Sequence, residues 1–441
     1  MSKYTSIDLF SDPGGLCTGL RWAGIKALIA VEWSYWTVQT YAASHYADIF
    51  DLEAYLNGTL ENADEFFKPH DNTLLIYGDI NKVEISLIKK ILKERFSKDT
   101  VDLVTGGAPC ESFSMAGDRK EDDDRNSLYQ NVLRIAKGVE ADMFMFENVK
   151  GLFSKKYKGK TGAMYKHICE EFQEGKEGEI KYKLASTNKD TVLLKAIEYG
   201  VPQTRERLFL VGIKECHDAT FSYPKKTHGP GRKYRYVTVE DALMDLPQIK
   251  KNEETKEYNI INYSGDESKM NYLNLMRGID NLPEENSNYN PHVITNHKAP
   301  GHTDRMYNRI KSIKPGENMK KAYERLVSEG KEEFAKQNYP KKLYAARNRR
   351  LVLSEPSFTV TSHCLDEMIH PVLDRALTPR EAARLQSFPD WYIFEGPYVK
   401  FHSDPEQDQD EQIGDAIPPL LGKVLGEEII KTLDVINEVK E

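Results

Sequence analysis

The chain has 441 residues, a mass of 50.6 kDa and a formal net charge of −8, from 61 Lys and Arg against 69 Asp and Glu. This length can bury a large core in two domains. The sequence contains no run of about 18 apolar residues, so we expect no membrane span. The five cysteines show no CxxC spacing, so we expect a cytoplasmic protein without disulfides or a zinc knuckle, and the acidic balance argues against a protein that coats nucleic acid.

The first 215 residues alternate short apolar runs with amphipathic stretches. The predicted strands are Ser6–Phe10, Ala27–Val31, Thr73–Tyr77, Val101–Thr105, Met143–Phe146 and Leu208–Val211. Apolar residues at helical spacing predict helices at Ile85–Glu94 and Ser127–Lys137 between them. Strands that alternate with helices favour an α/β fold with a mostly parallel sheet covered on both faces. Functional residues in such sheets lie just past the carboxyl ends of the strands.

The sequence changes character near Thr220. Polar segments rich in Asn, Lys, Tyr and Pro run to about Ser354 and predict a second, less regular domain. Apolar order returns at Phe358–Thr361 and in two predicted helices, Thr378–Gln386 and Pro418–Leu433. The first of these helices begins with the pattern of a capping box, with Thr at the N-cap, Pro next and Glu three residues on.

Three strand ends carry candidate cofactor residues. The loop Asp8–Gly15 opens a helix with glycines that let a ligand approach the backbone, although a plain turn would look the same. Glu32 could hold ribose hydroxyls and Trp33 could stack on adenine, or they could be a surface Glu and a core Trp. Asp79 could accept from an adenine amino group or cap the next helix.

Two further strand ends carry candidate catalytic residues. Cys110 follows a proline in the glycine-rich segment Gly106–Ser114, which favours a nucleophile over a buried apolar cysteine. Its thiolate would need a positive charge nearby. Glu147 is either a catalytic carboxylate or a helix cap. Gln203–Arg207 places two arginines on one face of an extended segment, to clamp an anion, orient a carbonyl or form ordinary edge salt bridges.

In this order, the segments resemble motifs of the DNA cytosine-5 methyltransferase family over nearly the whole chain. The matching segments are Asp8–Gly15, Glu32–Trp33, Asp79–Ile80, Gly107–Ser114, Glu147–Val149, Gln203–Arg207, Arg375–Asp390 and Gln412–Pro419. Three positions depart from the family pattern: Asp12 stands where Gly is usual, Glu111 where Gln is common and Asp415 where Asn is usual. These departures bear on cofactor affinity and rate, although Asp tolerates the left-handed backbone that the glycine position requires.

The resemblance implies a Rossmann-like class I methyltransferase with three regions. Residues 1–219 would bind S-adenosylmethionine and carry the catalytic groups, 220–355 would form a smaller, irregular target-recognition domain, and 356–441 would return to complete the catalytic domain. The substrate would be a cytosine flipped out of a specific duplex DNA site. The protein would act as a monomer on DNA, in restriction–modification or a related defence system. The resemblance does not determine whether it has a partner nuclease or defence subunits.

The resemblance also assigns roles to single residues. Cys110 would add to carbon 6 of the base, and Glu147, protonated or sharing a proton with ring nitrogen 3, would stabilise the resulting charge. Asn148 would orient its segment, and Arg205 and Arg207 would position the base carbonyl and the catalytic loop. No metal is implied. The implied cofactor contacts are Phe10, Pro13, Gly14, Gly15, Glu32, Trp33, Asp79, Ile80, Pro109, Leu128, Asp415 and Ala416.

The charge distribution suits a DNA-binding surface in the second region. Residues 303–350 hold 14 Lys and Arg against 6 Asp and Glu, so this part carries +8 and the rest of the chain −16. Basic side chains of this kind contact phosphates, although any single one is as readily a solvated surface residue. The expected DNA contacts are Ser112, Ser114, Lys225, Lys226, Arg232, Arg347, Arg349 and Arg350.

Three alternatives remain open at this stage. A related group of tRNA cytosine-5 methyltransferases shares the Pro-Cys and Glu-Asn-Val elements, although the long segment between Arg207 and Arg375 favours DNA. A catalytically silent relative would keep the fold, but such proteins usually lose the nucleophile, which is present here. The sheet pattern alone would also allow a nucleotide-dependent dehydrogenase, which has no use for the Pro-Cys loop.

Overall fold

The computed structural model describes residues 2–108, 127–175, 179–258, 264–278, 289–400 and 406–440. The chain divides into two compact units, the first formed by Met1–Lys195, Glu206–Lys225 and Pro419–Glu441, the second by Ala196–Arg205 and Lys226–Pro418. The three predicted regions have other bounds and stay a prediction. Among the described residues, no helix has the length and apolar character needed to cross a membrane.

The strands and helices follow the predicted pattern. The strands are β1 Tyr4–Leu9, β2 Ile25–Glu32, β3 Asp48–Asp51, β4 Leu74–Tyr77, β5 Leu103–Gly106, β6 Met143–Val149, β7 Lys156–Tyr157, β8 Lys160–Thr161, β9 Tyr182–Leu184, β10 Leu193–Lys195, β11 Glu206–Lys214, β12 Arg349–Arg350 and β13 Met368–Ile369. The helices are α1 Gly15–Ala23, α2 Tyr35–His45, α3 Leu52–Leu56, α4 Ile85–Phe96, α5 Gln130–Val139, α6 Ala163–Glu171, α7 Lys189–Val192, α8 Val239–Leu243, α9 Glu267–Met276, α10 Asp304–Ser312, α11 Met319–Ser328, α12 Glu332–Asn338, α13 Cys364–Glu367, α14 Pro379–Leu385, α15 Gln409–Asp415 and α16 Pro419–Lys440. All six predicted strands are confirmed, whereas the short strands β3, β7, β8, β9, β10, β12 and β13 were not predicted.

The main sheet of the first unit has the order β10-β11-β6-β5-β1-β2-β4-β3, with β9 also paired to β11. Its pairs are parallel except those of β11, which runs antiparallel to β6, β9 and β10. Successive residues of β4 belong to two apolar clusters, Leu74 and Ile76 to one and Leu75 to the other. Because successive side chains of a strand point to opposite faces, both faces of this sheet are covered. The predicted α/β fold with a mostly parallel sheet is therefore confirmed.

The strand order determines where a ligand can bind. From β1 the chain moves outward through β2, and after β4 it returns through α4 to β5, on the other side of β1. In open α/β sheets, ligands bind outside the carboxyl ends of the strands at such a switch point. Phe10 and Gly107 are the residues that directly follow β1 and β5.

The last helix of the chain packs closely on α1. A Cβ at Gly19 would lie 2.1 Å from the carbonyl oxygen of Pro419, and one at Gly422 would lie 3.0 Å from the carbonyl oxygen of Leu16. Both positions therefore need glycine because the two helix backbones meet there. The first unit thus combines the beginning and the end of the chain.

Two buried arginines of the second unit, one just before α14 and one within it, form ion pairs. Arg375 forms two 2.7 Å hydrogen bonds to the carboxylate of Glu381, and Arg384 forms two 2.6 Å hydrogen bonds to Asp390. All four side chains are buried. The predicted capping box is confirmed, since Thr378 and Glu381 exchange side-chain to backbone hydrogen bonds at the start of α14.

Candidate active site

The loop after β1 has a strained backbone. Phe10, Asp12 and Gly14 all have positive φ, of 54°, 49° and 93°. A positive φ is rare for a bulky residue such as Phe, and such strain is typical of functional sites. The expectation that Asp12 tolerates the left-handed conformation is confirmed. Pro13 is buried between them, and Gly15 begins α1, whose first N–H groups have no partner within the helix.

Glu32, at the end of β2, ties two of the strand-end loops together. Its carboxylate accepts hydrogen bonds from the backbone N–H groups of Asp12 at 3.0 Å, Trp33 at 2.8 Å and Ser34 at 3.0 Å. Burial raises the pKa of Glu32, while these three donors act in the opposite direction. A carboxylate has about four acceptor positions, so these three bonds leave room for one ribose hydroxyl.

Trp33 is an exposed aromatic residue at the same strand end. Its side chain is 66% exposed, so the alternative of a core Trp is wrong. The neighbouring Tyr35 is 42% exposed and packs edge-on against Tyr77 at the end of β4, with ring centroids 6.2 Å apart. The predicted stacking of adenine on Trp33 stays a prediction, and the exposed indole leaves a face accessible for it.

Asp79 caps the turn that follows β4. Its Oδ1 accepts from the backbone N–H of Asn81 at 2.9 Å and from the Asn81 side chain at 3.1 Å. The cap alternative is therefore observed, and the predicted contact with an adenine amino group stays a prediction. Ile80 is buried directly behind this turn.

Helix α5 holds the same turn through two polar residues that the sequence did not single out. Asn131 donates to the side-chain oxygen of Asn81 at 3.0 Å, and Arg134 donates to the carbonyl oxygens of Ile80 and Val83, both at 2.9 Å. The signal in the sequence was the three-residue spacing of these polar side chains within an amphipathic helix. Leu128, just before α5, is partly buried and packs on the main core.

An ion pair joins β6 to β11 at the same edge of the sheet. Arg207 Nε lies 2.9 Å from Oε1 of Glu147, and the two side chains are only 14% and 10% exposed. A Cβ at Gly107 would lie 2.9 Å from the other carboxylate oxygen, so the loop after β5 passes directly over Glu147. The predicted sharing of a proton between Glu147 and ring nitrogen 3 of the base stays a prediction.

Asn148 fixes the chain where it enters the Pro-Cys segment. Its buried amide donates to the carbonyl oxygen of Ala108 at 3.3 Å and accepts from the backbone N–H of Val149 at 2.9 Å. It therefore anchors the residue that precedes Pro109. Several predicted residues of that segment lie outside the described residues: Pro109, Cys110, Glu111, Ser112 and Ser114.

Arg205 lies in the second unit and is 1% exposed. It donates to the carbonyl oxygens of Val360 and Gly414, both at 2.9 Å, and of Asp415 at 3.1 Å. These partners make Arg205 a positioning residue for the segment that contains the predicted cofactor residue Asp415. Its predicted role at the base carbonyl stays a prediction.

Two buried glutamines complete this arrangement and were not among the predicted site residues. Gln203 donates to the carbonyl oxygen of Leu385 at 2.7 Å and accepts from the backbone N–H of Val360 at 3.0 Å. Gln386 donates to the carbonyl oxygen of Ala416 at 3.1 Å. Ala416 is buried, whereas Asp415 is exposed and accepts from Gln407 at 2.8 Å. The only sequence signal for Gln203 was its place in the Gln-x-Arg segment.

The predicted DNA contacts occupy different environments. Lys225 and Arg232 are exposed, and Lys226 is exposed but lies 2.9 Å from Glu198. Arg347 is half exposed, with its guanidinium 5.3 Å from the centre of the exposed Tyr344 ring. Their predicted contacts with DNA stay predictions.

Arg349 and Arg350 are held within the second unit. Arg350 is 5% exposed and donates to the carbonyl oxygens of Ile310 at 2.8 Å and Ile313 at 2.7 Å. The expectation that Arg350 lies on a DNA-facing surface is therefore corrected, because its guanidinium supports the core between α10 and β12. Arg349 lies 3.3 Å above the Phe358 ring, and burial lowers its pKa.

A metal centre has no counterpart in the part of the chain that the structure describes. No group of three or more His, Cys, Asp and Glu side chains is placed to hold a metal ion there. The chemistry of the described site is that of a carboxylate, an arginine and a buried amide.

The chain is similar to one known protein family and to several named proteins. Residues 61–431 match the model of the family described as C-5 cytosine-specific DNA methylase. The chain is 30% identical to the Type II methyltransferase M.DdeI of Desulfomicrobium norvegicum, over 99% of this chain and 90% of that protein. It is 29% identical to the Type II methyltransferase M.XorII of Xanthomonas oryzae pv. oryzae, over 98% of this chain and 86% of that protein.

A solved structure has the same fold. It is a protein described as a DNA modification methyltransferase encoded within an E. coli prophage, with a TM-score of 0.67 and 24% identity. The match covers 98% of this chain and 100% of that one.

Proposed function

The chain belongs to the C-5 cytosine-specific DNA methylase family, and from that premise we propose that it methylates carbon 5 of a cytosine flipped out of a specific duplex DNA site. The observation that carries this proposal is the junction of β5, β6 and β11. There Glu147 is paired with Arg207, and Asn148 anchors the residue before Pro109. These contacts leave a carboxylate beside the chain that runs into Cys110.

The proposed chemistry assigns each residue a step. The Cys110 thiolate adds to carbon 6 of the flipped base, which makes carbon 5 nucleophilic. Glu147 shares a proton with ring nitrogen 3 and so stabilises the charge that addition creates. Arg207 keeps the Glu147 carboxylate in position. After methyl transfer, carbon 5 loses its proton and Cys110 leaves carbon 6, which restores the aromatic ring.

We propose S-adenosylmethionine as the bound cofactor, which supplies an electrophilic methyl group. The strand-end residues fit an adenosine. Glu32 retains one acceptor position for a ribose hydroxyl, and the exposed Trp33 offers a face for adenine. The strained loop from Phe10 to Gly14 would lie against the methionine part. Asp415 and Ala416 stay predicted contacts.

The biological setting follows from the relatives. M.DdeI and M.XorII are both named Type II methyltransferases, so we propose that this chain modifies DNA in a restriction–modification system. Bisulfite sequencing of DNA from cells that express the protein would identify the modified site. Methylation of tRNA but not of duplex DNA would refute the proposed substrate.

Cys110 provides the decisive mechanistic test. We expect Cys110→Ser to abolish methyl transfer to duplex DNA while S-adenosylmethionine binding, measured by calorimetry, stays near the wild-type value. Duplex DNA with 5-fluorocytosine at the modified position should trap a covalent adduct with wild-type protein, because fluorine cannot leave as a proton does. Turnover by the serine variant would contradict covalent catalysis.

A further inference from the structure

A small hairpin in the first unit combines high positive charge with a rigid, exposed backbone. We define the lysine hairpin as Lys156–Thr161, in which β7 and β8 pair antiparallel. It belongs to the segment 150–160, KGLFSKKYKGK, which holds five lysines and no acidic residue. The catalytic residues account for none of these lysines.

The turn of the lysine hairpin has a defined geometry. Its two central residues, Lys158 and Gly159, have φ values of 49° and 76°. Two residues with positive φ between two-residue strands correspond to a type I′ turn, in which Asn-Gly is the favoured pair. Lysine at the first position is conformationally unfavourable, and residues kept in such positions are typical of functional segments. The chain thus retains a charge where asparagine would suit the backbone better.

The hairpin is also fixed to its surroundings. The Tyr157 ring stacks on the His167 ring of α6, with centroids 4.2 Å apart and planes at 10°. The backbone N–H of Gly162 donates to the carbonyl oxygen of Lys155 at 3.0 Å and closes the base of the hairpin. The lysines are therefore presented by an ordered support.

Among the described residues, the charges of the hairpin have no nearby acidic partner. Lys156, Lys158 and Lys160 are exposed, and within the described ranges none has a carboxylate within 4 Å. By contrast, Lys150 lies 2.8 Å from Glu206. Three exposed cations on one ordered turn, with no described carboxylate within 4 Å, favour the approach of a polyanion.

The position of the hairpin links it to the catalytic edge of the sheet. Strand β6 carries Glu147 and Asn148 at its carboxyl end, and a single short 3-10 segment, Lys150–Ser154, separates it from Lys156. The hairpin therefore follows the same strand end as the candidate catalytic carboxylate. A duplex that delivers a base to this edge would bring its phosphates toward these lysines.

We propose that the lysine hairpin binds the phosphate backbone of duplex DNA without reading its sequence, as a contact supplied by the first unit. This inference rests on the proposed function, which makes duplex DNA the substrate. The hairpin would contribute affinity and its salt dependence, while sequence choice would come from other residues.

The test compares three full-length variants with wild type on a fluorescent duplex of mixed sequence. The first replaces Lys156, Lys158 and Lys160 with Gln, and the second replaces the same residues with Arg. The control makes the same number of Lys→Gln changes elsewhere in the first unit, Lys89→Gln, Lys93→Gln and Lys98→Gln on α4 and just beyond it; of these, Lys93 is ion-paired with Asp99 at 2.8 Å. Dissociation constants are measured by anisotropy at several salt concentrations.

The Gln variant should lower the slope of log Kd against log salt by about 2 to 3, since each phosphate contact contributes about 0.9. Between 50 and 200 mM salt the Kd of wild type should therefore rise by a factor roughly 40 times larger than the factor by which the Kd of the Gln variant rises. The Arg variant and the α4 control should keep the wild-type slope. A wild-type slope in the Gln variant would overturn the proposal, as would an equal change in the control.

The single variant Lys158→Asn separates charge from structure. Asparagine suits the positive φ, so thermal stability should be unchanged or higher, while the slope should fall by about 0.9. Lower thermal stability of this variant with an unchanged slope of log Kd against log salt would overturn the proposal. Binding to tRNA is measured in the same assay, and loss of tRNA binding with unchanged duplex binding would also overturn the proposal. If wild type methylates duplex DNA but the Gln variant keeps the wild-type slope of log Kd against log salt, only the inference about the hairpin is wrong. If wild type does not methylate duplex DNA, the proposed function is wrong.

Discussion

Gly107→Ala tests the close contact between the loop after β5 and the candidate catalytic carboxylate. A Cβ at this position would lie 2.9 Å from Oε2 of Glu147, about half an ångström inside ordinary van der Waals contact. The carboxylate cannot relax without disturbing its 2.9 Å contact with Arg207. Since a 1 Å misplacement of a catalytic group can cost about 100-fold, we expect kcat to fall by about 10-fold.

The neighbouring glycine provides the matched control. A Cβ at Gly106 would lie 2.7 Å from the side chain of Val132, inside the core rather than at the site. Gly106→Ala should therefore lower the free energy of unfolding by about 1–3 kcal/mol through overpacking. Gly107→Ala should change that free energy by less, because the atom that it meets belongs to the end of a side chain. Urea unfolding separates the two effects.

Single-turnover methyl transfer from labelled S-adenosylmethionine to unmethylated duplex DNA measures the catalytic effect. The double variant Gly107→Ala with Glu147→Asp tests the cause, because the shorter carboxylate removes the overlap. The two substitutions should then be non-additive, with Gly107→Ala costing less in the Asp background. Wild-type turnover by the Gly107→Ala variant would refute the reasoning, as would full additivity in this cycle.

Three further predictions concern the second unit. Gln203→Leu should lower the free energy of unfolding by about 2–4 kcal/mol, because it leaves buried backbone groups at Val360 and Leu385 without their partner, and urea titration would measure this loss. Arg350→Gln should lower the unfolding temperature with little direct effect on DNA affinity, because Arg350 is buried. Arg347→Gln should weaken duplex binding while the unfolding temperature stays at the wild-type value, because Arg347 is half exposed. Weaker DNA binding by the Arg350 variant together with lower stability of the Arg347 variant would contradict these assignments. Burial lowers the pKa of His370 from an ordinary 6.5 to about 4, so the unfolded chain takes up the proton at a higher pH than the folded chain, and the free energy of unfolding should fall as the pH drops from 6.5 toward 4. His370→Gln should reduce the slope of the free energy of unfolding against pH in this range by up to about 1.4 kcal/mol per pH unit. An unchanged slope would exclude His370 as the cause.

Features that depend on local sequence were predictable. The six predicted strands, the two helices between them and the capping box at Thr378 are all present, because each depends on apolar periodicity or on a few neighbouring side chains. The order of the strand-end motifs also indicated the family. Each of these motifs consists of residues that directly follow a strand. Because parallel strands have their carboxyl ends at one edge of the sheet, the motifs are expected to lie at that edge.

The roles of individual arginines were decided by the tertiary structure. Arg347 and Arg350 lie three residues apart in one basic segment, yet one is half exposed beside Tyr344 and the other is buried against main-chain carbonyls of α10. Charge and spacing cannot distinguish these cases, since burial depends on partners distant along the chain. The same reason applies to Arg205, whose partners Val360 and Gly414 lie more than 150 residues away.

The sequence by itself determined the fold class, six strands of the main sheet, the residues that follow them and the family. The tertiary structure alone decided that the Glu147 carboxylate is paired with Arg207, that Asn148 anchors Ala108 and that the lysines of the hairpin are presented on a rigid turn. The difference has a physical basis. Secondary structure and motif order follow from interactions between near neighbours, whereas ionisation, burial and accessibility depend on which distant groups the fold brings within a few ångströms.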